Sequence, residues 1–152
     1  MKIVAQRVTS ASVTAGGRLT GRIGKGLCVF IGVAPGDTER DAKKLADKIA
    51  NLRIFGGSAP EEDARMNYSV IDAGGAILAV SQFTLYADCR KGRRPSFTGA
   101  APPELGNELY GRFVEFLKEC GLEVSCGEFG ASMKVEMIND GPVTIILDSA
   151  DM

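Results

Sequence analysis

Two stretches of this chain carry no polar alternation: "GLCVFIGVA" over residues 26–34 and "AILAV" over 76–80. Strands that are apolar on both faces belong in the centre of a sheet, covered above and below. Everything else in the sequence has to supply those covers. "KIVAQRVTSASVTA", Lys2 to Ala15, alternates like a half-exposed strand, and a turn at Gly16-Gly17 leads into "RLTGRIG".

Helices come from two segments. In "PGDTERDAKKLADKIANLRIF" either Asp37 or Thr38 can cap a helix whose apolar positions Leu45, Ile49 and Leu52 recur at helical spacing beside Ala42 and Ala46. In "SFTGAAPPELGNELYGRFVEFLKEC", Pro102 and Pro103 suit a first turn, and Leu109, Phe113, Phe116 and Leu117 form the stripe. Between them, "GGSAPEEDARMNYS" is a polar loop and "AILAVSQFTLY" is a buried strand interrupted at Ser81 and Gln82. Three short strands close the chain, around "LEVSCGEF", "MKVEMI" and "VTIILD". The order β-β-β-α-β-α-β-β-β predicts a single α/β domain over residues 1–152, a sandwich with its helices on one side of the sheets. At 152 residues the chain is long enough for one self-sufficient core.

The absence of histidine removes Ser-His-Asp and Cys-His hydrolases and zinc hydrolases with imidazole ligands. Cys28, Cys89, Cys120 and Cys126 lack C-x-x-C spacing, so the expectation is reduced structural thiols, no metal and no cofactor. The glycine pairs fall outside any P-loop or G-x-G-x-x-G spacing. No apolar run approaches the roughly 18 residues that cross a bilayer, and "MKIVAQRVTS" lacks a signal-peptide core, which predicts a cytoplasmic protein without membrane contact. Any enzyme built from these residues must work with backbone groups, hydroxyls or the substrate itself.

Two constellations stand out. "SQFTLYADCRKGRRPSF", Ser81 to Phe97, ends in Arg90, Lys91, Arg93 and Arg94, a dense cationic run in a chain of net charge −1. Such runs are commonly solvated loops, but this density and arginine's forked donors favour contact with phosphate. The Ser81 and Thr84 hydroxyls have no visible base, whereas the amides of "SQF" can orient an ester carbonyl or its oxyanion. Phe83 suits either the core or stacking on a base. "NDGPVT", Asn139 to Thr144, reads on spacing alone as a turn between two strands.

Taken together, these motifs, with "QRV" at 6–8, "GDTE" at 36–39, "KIANLRIF" at 48–55 and "LDS" at 147–149, resemble the D-aminoacyl-tRNA deacylase family of the D-Tyr-tRNA deacylase type. The family's S-Q-x-T-L signature matches Ser81, Gln82, Thr84 and Leu85, and its N-x-G-P-x-T signature matches Asn139, Gly141, Pro142 and Thr144. The resemblance implies a homodimer of three-layer β/β/α sandwich subunits that hydrolyses the ester between a D-amino acid, or glycine, and the 3′-terminal adenosine of tRNA. It assigns Ser81, Gln82, Phe83 and Thr84 to the adenosine pocket and catalysis, and Arg90, Lys91, Arg93 and Arg94 to tRNA. A cis Gly141-Pro142 bond, supported by Arg7, Asn139 and Thr144, would enter the partner's site and reject L-amino acids. Partners are then D-aminoacyl-tRNA and glycyl-tRNA, in translation quality control. The substrate's 2′-hydroxyl would assist cleavage, with Thr84 as nucleophile the weaker option. "GGSAPEEDAR", 56–65, is a longer loop than is usual in the family. Two rivals have different chemistry: a non-catalytic RNA-binding module using Phe83 and the basic loop, and a thiol hydrolase centred on Cys89.

Overall fold

The computed structural model describes residues 1–57 and 65–152. Its strands are β1 Lys2–Ala15, β2 Arg18–Ile23, β3 Gly26–Gly32, β4 Ala76–Ser81, β5 Val124–Cys126 and β6 Met133–Asp148, with helices α1 Glu39–Asn51 and α2 Pro103–Glu119. Strand β1 is the hub. One of its edges pairs with β3 through Lys2–Val8 and then with β2 through Ala11–Ala15, while β6 runs antiparallel along the other. Strands β3, β4 and β5 are parallel neighbours. Because β2 and β3 share one edge, the sheet curls back on itself and nearly closes into a barrel. Ser125 Oγ on β5 donates to Arg22 O on β2 at 3.0 Å across the closure.

The two unbroken apolar runs form the central strands. Leu27, Val29, Ile31, Ile77 and Ala79 face Leu45 and Ile49 of α1 and Phe113 and Leu117 of α2. The opposite faces, with Cys28, Leu78 and Val80, pack on Val8, Ala11, Val13 and Ile23. This is the three-layer β/β/α arrangement, α/β in class. Burial pushes the Cys28 thiol up to about 12, so it stays protonated and packs as a small hydrophobe. Helix α1 is capped by Thr38 rather than Asp37, through a reciprocal box in which Thr38 N donates to Asp41 Oδ2 at 2.9 Å. The described residues contain no helix long and apolar enough to cross a membrane.

Where β3 meets β4 the backbones approach so closely that a Cβ on Gly26 would lie 1.9 Å from Ala76 O. Neither partner is a flexible side chain. Gly26→Ala is therefore expected to lower stability by about 3 kcal/mol or more in urea unfolding. Gly24→Ala, with nothing within 4 Å of the added methyl, should stay within about 0.5 kcal/mol of wild type.

Two expectations about strands are corrected. Strand β4 stops at Ser81 instead of continuing to Tyr86, and Phe83–Tyr86 winds into a 3₁₀ turn. The last rung is Gln82 N donating to Ile31 O at 2.7 Å, after which the chain folds over Gly32, where a Cβ would meet Leu85 and Gln82 O at 3.0 and 3.1 Å. The other correction concerns "MKVEMI" and "VTIILD", which are halves of the single strand β6. "NDGPVT" is accordingly not a turn that reverses the chain. Gln6 pairs with Thr144 and Val8 with Asn139, so Arg7 alone opposes residues 140–143, which bulge from a continuous ladder. The ladder survives because β1 is long enough to hold both halves. Phe55 and Tyr68, either side of residues 56–65, have N–H groups that donate to each other's carbonyls at 2.9 and 3.1 Å. The longer loop expected at 56–65 falls mostly on residues 58–64, outside the described residues.

Candidate active site

Strand β4 delivers Ser81, Gln82 and Phe83 to the rim of a cavity of about 220 Å³, whose other walls include Tyr110 of α2 and Phe129 and Gly130 of the segment before β6. One carbonyl ties these walls together. Ala79 O accepts from the Tyr110 hydroxyl at 3.0 Å and from Gly127 N at 2.9 Å. The Tyr110 and Phe129 rings lie 6.1 Å apart, and α2 comes close because Gly106 has no Cβ, which would sit 3.3 Å from the Phe129 ring. Burial raises the Tyr110 pKa, so the hydroxyl remains a donor. Sequence reasoning did not single out Tyr110, Phe129 or Gly130. Tyr110 is one aromatic in an amphipathic helix, and Phe129 and Gly130 lie in a short connection, so no periodic signal marks them.

At the rim, Gln82 Nε2 donates to Thr84 Oγ1. An amide N–H cannot accept the hydroxyl's proton, so this contact does not activate Thr84 as a nucleophile. The 3₁₀ turn begins at Phe83. Its geometry leaves the Phe83 and Thr84 amides without a partner inside the turn, and Phe83 lines the cavity. Ser81, Gln82 and Phe83 are thus brought together on the cavity, with Thr84 exposed next to them.

The basic cluster follows on an exposed loop held at its base by Asp88 and Ser96, which exchange backbone hydrogen bonds of 2.7 and 2.9 Å. Arg90 is engaged within the loop, its Nε and Nη2 donating to the two Asp88 carboxylate oxygens at 2.9 and 2.6 Å. The Arg90 side chain, and then its backbone N–H, hold the Asp88 carboxyl below the usual carboxylate range. Among the described residues Lys91, Arg93 and Arg94 form no ion pair. Lys91 and Arg94 line a hollow of about 390 Å³ with Asp88, Arg90 and Ser96. Cys89 is exposed and does not line the Ser81–Phe83 cavity.

The bulge of β6 is the second constellation. Arg7 Nε donates to Asp140 O at 3.1 Å and its Nη1 to Ile54 O at 2.8 Å, tying the bulge to the chain just after α1. Asn139 Oδ1 accepts from Val143 N at 2.9 Å, and Thr144 Oγ1 accepts from Gln6 Nε2 at 3.1 Å. The Gly141-Pro142 peptide bond is cis, and both residues are exposed. Arg7, Asn139, Gly141, Pro142 and Thr144 are therefore one assembly. Within a single chain they do not join the Ser81 cavity: Ser81 pairs with Ile31 and Ile31 with Ile3, while the bulge lies beyond β1 and opposite Arg7. Three strand spacings across and four residues along put the two motifs roughly 20 Å apart.

Comparison with known proteins gives a consistent picture. A family model described as D-Tyr-tRNA(Tyr) deacylase matches residues 4–148. The chain is 56% identical over 149 residues to a D-aminoacyl-tRNA deacylase of Syntrophobacter fumaroxidans, covering 98% of this chain and 97% of the relative. It is 58% identical over 150 residues to one of Halothermothrix orenii, covering 98% and 97%. Among solved structures, a c-Myc DNA Unwinding Element Binding Protein superposes with a TM-score of 0.88 at 42% identity, over 97% of this chain and 98% of that one. A probable eukaryotic D-amino acid tRNA deacylase shares the fold, with a TM-score of 0.83 at 19% identity over 96% and 97% of the two chains.

Proposed function

The chain belongs to the D-Tyr-tRNA(Tyr) deacylase family, and from that membership and the site geometry we propose that it hydrolyses the ester joining a D-amino acid, or glycine, to the 3′-terminal adenosine of tRNA. The observation that carries this reading is the cavity at the end of β4, lined by Phe83 at the start of a 3₁₀ turn whose first amides have no partner within the turn, with the basic loop beginning a few residues beyond. An ester carbonyl placed at those amides gains donors where its oxyanion develops. The terminal adenosine occupies the cavity, and its 2′-hydroxyl assists a water in attacking the ester carbonyl, the water oxygen leaving with the amino acid and the proton passing to the freed 3′-oxygen, so that the histidine-free site needs no base of its own. Acting on mischarged tRNA in the cytoplasm, such an enzyme serves translation quality control.

The bulge at Gly141-Pro142 bars L-amino acids. With the two motifs roughly 20 Å apart in one chain, a second copy must bring its bulge to this cavity, which makes the working form a homodimer. The deciding assay pairs D-tyrosyl-tRNA with L-tyrosyl-tRNA, with and without EDTA. Cleavage of the D-ester and of glycyl-tRNA, with the L-ester spared and EDTA without effect, is expected. Cys89→Ala should retain most activity; complete inactivation by that change in a folded protein would establish the thiol hydrolase instead.

The name of the 42%-identical structural relative, a DNA-element binding protein, and the exposed Phe83 favour a second reading, a nucleic-acid-binding module without catalysis. It predicts retention of aminoacyl-tRNA with no loss of the ester.

Phosphate contact falls first on Lys91, Arg93 and Arg94, because Arg90 is already held by Asp88. Each alanine replacement among those three should flatten the plot of log affinity for tRNA against log salt by ~0.7–0.9, and Arg90→Ala by less. The D/L preference should not move. Unchanged affinity and slope in all three would reduce the cluster to a solvated loop.

A further inference from the structure

Beyond the cavity, Phe83 and Phe97 form an edge-to-face pair with ring centroids 5.1 Å apart and planes at 74°. Both rings are open to solvent, Phe83 by 58% and Phe97 by 39%. A phenylalanine pair left at the surface costs hydrophobic burial unless something covers it. Its position is informative. Phe83 is itself a wall of the Ser81 cavity, and Phe97 follows Ser96, which lines the hollow bearing Lys91 and Arg94. From the cavity, neighbouring groups lead to the partly exposed Phe83 and Phe97 rings and on to Lys91 and Arg94, which form no ion pair among the described residues. That sequence of surfaces matches a single-stranded nucleic-acid end, which alternates stackable bases with phosphates.

We propose that the Phe83–Phe97 pair is the stacking platform for the penultimate nucleotide of the single-stranded tRNA 3′ end, the next phosphates being met at Lys91 and Arg94. This rests on the terminal adenosine occupying the Ser81 cavity, as in the function proposed above. The loop is built to present Phe97: the Asp88–Ser96 bridge fixes the residue before it, and Ala100 N donates to Phe97 O at 3.0 Å just after it. Stacking reads a base face and not its edge, so the platform holds any base and places the ester without adding sequence choice.

The test is direct binding, independent of ester cleavage: fluorescence anisotropy of a 5′-labelled RNA oligonucleotide ending in CCA. Four measurements form a double-mutant cycle: wild type and Phe97→Ala, each with the intact oligonucleotide and with one abasic at the penultimate position. Removing the ring or the base should each weaken binding about tenfold, and removing both should weaken it no further than either alone. Phe97→Tyr should restore the intact complex and Phe97→Leu should not. Multiplying losses in the double combination, or an abasic nucleotide that binds as well as the intact one, would overturn the platform. The abasic arm leaves the protein untouched, so a folding defect in Phe97→Ala cannot imitate the result. If wild type fails to cleave D-tyrosyl-tRNA yet shows this coupling, the platform stands and the catalytic reading falls.

Discussion

Replacing the 2′-hydroxyl of the terminal adenosine by hydrogen is expected to slow deacylation of D-tyrosyl-tRNA by roughly 10²–10⁴-fold, the range associated with a positioned acid–base group. Thr84→Ala should cost far less than the roughly 10⁴-fold or more that follows loss of an activated nucleophile. The physical basis is the setting of the Thr84 hydroxyl beside the cavity. The amide nitrogen of Gln82 donates to Thr84 Oγ1 and cannot remove its proton, and no imidazole exists anywhere in the chain. On the proposed mechanism the protein contributes position and amide donors, and the substrate's 2′-hydroxyl assists the attacking water. Single-turnover rates with 2′-hydroxyl and 2′-deoxy terminal adenosine, each for wild type and Thr84→Ala, decide the matter. Full activity on the deoxy substrate combined with a dead Thr84→Ala variant would transfer the chemistry to the threonine.

Gly141→Ala is expected to lose roughly 10²-fold of the preference for D- over L-tyrosyl-tRNA, the penalty typical of displacing a positioning group by about 1 Å. Gly141 has φ +130°, a backbone conformation that a Cβ disfavours. An added Cβ would lie 2.7 Å from Val143 Cγ2, 3.0 Å from Val143 N and 3.2 Å from Arg7 Nη2. It therefore pushes on the two groups that hold the bulge, the Asn139 to Val143 hydrogen bond and the Arg7 link to Asp140. Arg7→Ala should act in the same direction, since it frees the Asp140 and Ile54 carbonyls together. On the proposed cross-subunit arrangement, mixing Gly141→Ala with a Gln82→Ala variant should regain part of the selective activity, because some mixed dimers would hold one cavity and one bulge that are both intact. Absence of any recovery after subunit exchange would place the bulge and the cavity in separate roles.

The sequence determined the layers of this protein. Runs such as "GLCVFIGVA" and "AILAV" cannot face water on either side, so the two central strands and the need for a cover on each face followed from apolar pattern alone. Helix periodicity similarly fixed α1 and α2, since their stripes are local properties of the chain. The chemistry that was missing was legible too, because a chain without histidine excludes whole mechanisms by composition. What local pattern does not contain is pairing across the chain. "NDGPVT" carries every mark of a turn, and only the full-length partner β1, holding residues on either side of it in one ladder, makes it a bulge braced by Arg7. The same holds for the end of β4. Its pattern favours extension to Tyr86, but Gly32 on the neighbouring strand leaves room for the chain to fold over and become the rim of a cavity. Tyr110 and Phe129, far apart in sequence, become walls of that cavity through packing on β4, where the Ala79 carbonyl accepts from both of their segments. Periodicity reports which face of an element is buried; which element it is buried against is settled by long-range contacts, and those exist only once the chain has folded.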